Sequence, residues 1–190
     1  MRMNVPNFLT WLRILAIPLL IAIYYAPAGW MGMADRNLTA TVVFVAAAIT
    51  DWLDGYLARR LNQQSAFGAF LDPVADKLMV AAALMILVEL DRVNALVAAV
   101  IVGREIAISA LREWMAKVGE AKSVAVNYLG KIKTASQMIA IPMLLYFNPI
   151  GSWFQPFRVG TWLIYLAAVM TLASMFYYLK LASPRAFRDP

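Results

Sequence analysis

The chain has 190 residues, about one domain's length, yet 63% of it is hydrophobic and only 15% charged, where soluble domains sit near about 45–50% and about 25%. A soluble core of this size cannot hide so much apolar surface, so lipid is the expected solvent and an all-α polytopic membrane protein the expected class. The absence of Cys and His excludes disulfides, thiol nucleophiles, Ser-His-Asp chemistry and imidazole or thiolate zinc sites, and the net charge of +6 reads as basic loops beside a membrane rather than a nucleic-acid surface.

Six apolar stretches follow in chain order, at residues 8–26, 38–58, 73–90, 95–115, 124–147 and 160–181. Each reaches or approaches the ~20 residues with which a helix crosses about 30 Å of hydrocarbon. They are continuously apolar rather than alternating, which argues against a barrel. The first stretch lacks a small-residue cleavage site and contains Arg13, so it reads as a retained span rather than a signal peptide. Short turns are expected from Pro27, at 91–94 and from Asn148, and no internal repeat or soluble domain interrupts the single domain 1–190. Trp11, Trp30, Trp114, Trp153 and Trp162 fall near span ends, as an aromatic belt requires.

Six crossings put both termini on one side. Fourteen of the 17 Lys and Arg residues then fall on that side, and only Arg36, Arg92 and Arg158 on the other. The positive-inside rule therefore makes both termini cytoplasmic.

Four aspartates stand at the cytoplasmic ends of the second and third spans. Asp51 and Asp54 are spaced i, i+3, and Asp72 and Asp76 i, i+4, so each pair shares a helical face. The linker from residue 60 to 71 is read as the reversal that lets the pairs face each other. At an effective dielectric of about 20, two carboxylates roughly 5 Å apart repel by about 3 kcal/mol. Divalent cations would relieve that, and an all-oxygen donor set suits Mg²⁺, Mn²⁺ or Ca²⁺. Gly55, Ala58 and Gly68 permit close approach of a helix or ligand, and Arg59 is placed to meet a phosphate or to snorkel. The competing reading of Asp72-Pro73 is an N-cap followed by Pro at the first helical position, while Asn7 or Thr10 could equally cap the first helix.

The pattern Asp51-x2-Asp54-Gly55-x2-Ala58-Arg59-x8-Gly68-x3-Asp72-x3-Asp76 resembles the signature of the CDP-alcohol phosphotransferase family, without departure at any position. The six-span layout extends the resemblance over nearly the whole chain. It implies a membrane enzyme that displaces CMP from a CDP-linked donor with two divalent ions, Mg²⁺ or Mn²⁺. Asp51, Asp54, Asp72 and Asp76 would be the metal ligands, Asp76 also the general base, and Gly55, Arg59 and Gly68 would lie against the cytidine diphosphate. The segments Asn7-x2-Thr10-x2-Arg13, Gly103-Arg104-Glu105, Ser109 to Trp114 and Gly130 to Thr134 resemble the bacterial branch that joins CDP-diacylglycerol to sn-glycerol 3-phosphate. The family also implies a homodimer, which no residue pattern here specifies.

Arg104, Arg112, Lys131 and Lys133 gather at the cytoplasmic ends of the fourth and fifth spans. Arg104 and Arg112, eight apart, lie near one face and about 12 Å apart along the axis, and a phosphorylated acceptor suits a pocket lined by Arg112 and Lys131. Arg104 sits deep for snorkelling and wants a partner, Glu105 or a catalytic Asp. A topology-setting basic loop is the competing reading for Lys117 and Lys122, and also for Arg112 and Lys131. Two other readings stay open: the same chemistry with inositol phosphate, serine or phosphatidylglycerol as acceptor, and a cation transporter whose ion path is the Asp cluster.

Overall fold

A computed structural model describes residues 5–27, 29–61, 66–117 and 128–186; the side chains of 5–7, 54–61, 66, 67, 69, 128, 129 and 181–186 lie outside the description. It contains six α-helices: α1 (Val5–Tyr25), α2 (Met33–Leu61), α3 (Ala66–Glu89), α4 (Ala95–Lys117), α5 (Tyr128–Tyr146) and α6 (Pro156–Ala186). No strand occurs among the described residues; one isolated bridge joins Ile150 and Phe154 in the α5–α6 connection. By length and composition two helices suffice to cross a membrane, at Phe8–Tyr25 and Pro156–Lys180. The other four carry charged residues within their apolar runs.

Local chemistry sets the helix ends. Asn94 caps α4, its Oδ1 accepting the Leu96 N–H at 2.8 Å, and Pro156 opens α6 at the position where a missing N–H costs nothing. At the start of α3 the competing cap reading fails. Asp72 and Pro73 are not cap and first residue, because α3 begins at Ala66 and Pro73 lies inside it. The segment joining α2 and α3 is correspondingly shorter than the expected linker, since α2 runs on to Leu61. Thr10 likewise caps nothing, for α1 begins at Val5.

The helices close into a ring in the spatial order α1, α2, α5, α6, α4, α3, with α3 also touching α2 and α5. α3 therefore supplies much of the core: Met79, Val80, Ala83, Leu84, Ile86 and Leu87 are buried, against Leu20 of α1, Phe44 of α2, Ile101 of α4, Ile141 of α5 and Ile164 of α6. α5 and α6 approach closely, since a Cβ on Gly160 would stand 2.8 Å from Leu144 Cγ and 3.1 Å from the Ala140 carbonyl oxygen. The outer surface is itself apolar, with Leu15, Val42, Trp162 and Phe176 exposed, the pattern of a helix bundle solvated by lipid.

At the end of the bundle away from the aspartates, two buried arginines bind helix termini. Arg36 donates to the carbonyls of Tyr24, Ala26 and Met31. Arg92, in the α3–α4 turn, donates to the Leu144 and Leu145 carbonyls at 3.0 and 2.8 Å and to Asn37 Oδ1 at 2.8 Å, and its guanidinium lies 4.3 Å from the Phe147 ring centroid. One side chain thus joins α2, α3 and the carbonyl end of α5, satisfying acceptors that the helix leaves open. Arg92→Ala is expected to remove about 3 kcal/mol of stability, because buried acceptors are left unpaired. Thermal unfolding in detergent checks this, with Arg92→Lys recovering only part, since an ammonium cannot span the same fork of acceptors.

Candidate active site

Carboxylates come to the site from two helices. Asp51 stands ten residues before the end of α2, and Asp72 and Asp76 stand one turn apart on α3. Asp51 and Asp76 line one cavity of about 10 Å³, walled by Arg13, Met79, Val80 and Met138, space for roughly one water or ion. Asp72 and Asp76 both lie within electrostatic reach of Asp51. Gly68, one turn before Asp72, is buried. The side chains of Asp54, Gly55 and Arg59 lie outside the described residues, although their backbone continues α2.

α1 reaches both carboxylate helices from one face. Thr10 Oγ1 donates to Asp72 Oδ1 at 2.6 Å. Three residues on, Arg13, only 2% exposed, stands 2.5 Å from Asp51 Oδ1 through Nη1. These contacts explain why a Thr and an Arg interrupt an otherwise apolar helix: each is matched to an acid on a neighbour, which lowers the cost of carrying polar groups into the bundle. Asn7's side chain lies outside the described residues.

The acidic set has a chemistry suited to divalent metal. Its donors are all oxygens, the preference of hard cations, and the cavity between Asp51 and Asp76 has ionic dimensions. Among the described residues no three metal-ligating side chains converge as a ready-made cage. A site completed by substrate phosphates needs none, because Mg²⁺ commonly takes only one or two carboxylates there.

A basic layer adjoins the acids. Lys133 of α5, 2% exposed, forms an ion pair with Glu105 of α4 and lies within electrostatic reach of both Asp76 and Arg104. Arg104 is buried. Its Nη2 donates to Ser174 Oγ of α6 at 2.8 Å, while its Nη1 stays 4.0 Å from Glu105. Glu105 is thus shared: Arg104 reaches it at 4.0 Å, as the sequence leads one to expect, Lys133 pairs with it more closely, and Ser174 of α6 takes the other end of the guanidinium. Arg112 lies over Tyr178, 5.6 Å from the ring centroid, with a long 3.5 Å hydrogen bond from Nη2 to the Tyr178 hydroxyl oxygen. Lys131, two residues before Lys133, is exposed. Glu113 and Lys117 pair with each other at the surface. The sequence marks Glu105 only as a partner for Arg104 and gives Ser174 and Tyr178 no role of their own. Their signal is polar residues at i, i+4 within the apolar α6.

Comparison with known proteins follows the same lines. A family model described as CDP-alcohol phosphatidyltransferase matches residues 3–173. The chain is 47% identical over 184 residues to a protein of Shigella flexneri serotype 5b (strain 8401) and to one of Salmonella choleraesuis (strain SC-B67), covering 96% of each chain. It is 46% identical, with the same coverage, to a protein of Escherichia coli (strain K12). All three relatives carry the name CDP-diacylglycerol–glycerol-3-phosphate 3-phosphatidyltransferase.

Proposed function

The chain belongs to the CDP-alcohol phosphatidyltransferase family, and on that premise we propose that it transfers the phosphatidyl group of CDP-diacylglycerol to sn-glycerol 3-phosphate, giving phosphatidylglycerol phosphate and CMP. The observation that carries the reading is identity at 47% across 96% of both chains with relatives of that name. The site supports a phosphate-bearing acceptor, since buried Lys133 lies within electrostatic reach of Asp76 and Arg104.

In this reading Asp76 takes the proton of the acceptor's primary hydroxyl. The hydroxyl oxygen forms a bond to the lipid-side phosphorus, and the anhydride bond to CMP breaks, the electron pair leaving with CMP. Asp51, Asp54, Asp72 and Asp76 are the residues that would hold divalent metal, two ions by family resemblance, and metal bound there would neutralise the diphosphate and polarise its oxygens. Arg13 balances the charge of Asp51, and Thr10 fixes the orientation of Asp72. Gly55, Arg59 and Gly68 receive the cytidine diphosphate; Arg104, Arg112, Lys131 and Lys133 serve the acceptor phosphate.

Purified protein given CDP-diacylglycerol and Mg²⁺ is expected to release CMP only when sn-glycerol 3-phosphate is added. Release indifferent to that acceptor would return serine, inositol phosphate or phosphatidylglycerol to consideration. Metal uptake into sealed vesicles with no CMP release would replace the transferase with a transporter.

All six helices cross the bilayer in this proposal, with both termini and the active site on the cytoplasmic face of a bacterial inner membrane. The charge distribution supports that orientation. Because the chain has no Cys, single substitutions report directly. Ser152→Cys, in the α5–α6 connection, is expected to react with an impermeant maleimide on intact cells, and Lys117→Cys only after permeabilisation. The reverse pattern would invert the topology.

A further inference from the structure

Among the described residues the basic layer holds more positive charge than its two glutamates, Glu105 and Glu113, neutralise. Glu105 is engaged by Lys133 and lies 4.0 Å from Arg104 Nη1, so one carboxylate serves two cations, and Glu113 pairs with Lys117. Arg104 and Arg112 remain, close enough to feel each other's charge. The Nε atoms of both are buried with no hydrogen-bond partner among the described residues. Two like charges in a poorly solvated setting repel and lose hydration, so such an arrangement calls for an anion.

What keeps the two guanidiniums in place comes from α6. Tyr178 is fully buried, and its ring lies 5.8 Å from the Arg104 guanidinium and 5.6 Å from that of Arg112. Both distances fall within the range of cation–π attraction. One turn earlier, Ser174 accepts from Arg104 Nη2 at 2.8 Å, and its own hydroxyl donates to the Thr171 carbonyl, which fixes the direction of its lone pairs toward the arginine. Ser174 and Tyr178 at i, i+4 on α6 therefore match Arg104 and Arg112 at i, i+8 on α4. A ring between the two cations attracts both without neutralising either, so their charge stays available to a ligand.

We propose that Ser174 and Tyr178 are positioning residues that hold Arg104 and Arg112 as a preset seat for a phosphate monoester, the charged end of the acceptor. The inference rests on the proposed function for the identity of that acceptor, but the seat itself is a statement about anion binding. Preorganisation is the source of its effect: guanidiniums already held in place lose little freedom when the phosphate arrives.

Acceptor kinetics and anion protection test it together, on the full chain in detergent. Tyr178→Leu is expected to raise KM for sn-glycerol 3-phosphate about tenfold, leaving KM for CDP-diacylglycerol unchanged. Tyr178→Phe, which keeps the ring, restores most of the loss, and Ser174→Ala shifts the acceptor KM in the same direction. Independently of turnover, sn-glycerol 3-phosphate should raise the unfolding temperature of the wild-type protein and do so less for Tyr178→Leu. Equal rises in both KM values, a Phe variant as impaired as Leu, or no acceptor-dependent protection of the wild type would each overturn the seat. Should Leu fail to fold, Ser174→Ala with an unchanged acceptor KM would overturn it as well. Protection that is lost in Tyr178→Leu, in a wild-type protein that releases no CMP, would retain the seat and reject the proposed reaction.

Discussion

Asp76→Asn is expected to reduce acceptor-dependent CMP release by roughly 10²–10⁴-fold, the usual contribution of a general base, while the protein still folds. The amide has nearly the carboxylate's shape, so the cavity that Asp76 shares with Asp51 should be retained. What it lacks is a basic oxygen to take the hydroxyl proton. Initial rates at saturating donor and acceptor measure the loss, and the unfolding midpoint verifies that structure is kept. Asp91→Asn provides a control, since Asp91 lies in the α3–α4 turn with Arg92, at the other end of the bundle. Turnover within a few-fold of wild type in Asp76→Asn would require another proton acceptor, and Asp51, on the same cavity, would be the next to replace.

The sequence exposed the helices because each is a long apolar run, and its short turns at 91–94 and after Asn148 coincide with gaps between elements. It misplaced the beginning of α3 because Asp-Pro carries a strong local start signal, whereas the helix extends about two turns further back, to Ala66. Asp72, freed from capping, instead meets Thr10. The basic residues remote from the aspartates also changed meaning. Arg36 and Arg92 look like the minority term of a charge bias, yet their side chains satisfy carbonyls at helix ends.

The acidic motif was legible because its spacing alone puts pairs on one helix face. The contacts that organise it were not. Thr10 and Asp72 are 62 positions apart, Lys133 and Glu105 are 28, and Arg104 and Ser174 are 70. Such pairings depend on which helices adjoin in the ring, and periodicity within one helix carries no information about that. A charged residue in an apolar run announces that it needs a partner, but only packing says which one.

Removal of divalent metal should have the largest effect of all, taking CMP release to background. The donor brings a diphosphate to a region where Asp72 and Asp76 already act on Asp51. Among nearby cations, Arg13 is committed to Asp51 and Lys133 to Glu105. Each carboxylate–phosphate pair at roughly 5 Å costs about 3 kcal/mol at an effective dielectric of about 20, so the donor cannot settle beside these acids without added positive charge. Chelation with EDTA is therefore expected to abolish both donor binding and turnover, and excess Mg²⁺ or Mn²⁺ to restore them. The same additions to the apo protein should raise its unfolding temperature, because a ligand that binds the folded state alone stabilises it. Asp51→Asn, with one acid fewer, should need more Mg²⁺ for half-maximal rate. Full activity in protein shown by elemental analysis to be metal-free would assign the diphosphate charge to Arg13 and Arg59, and would make the aspartates partners of those arginines instead of metal ligands.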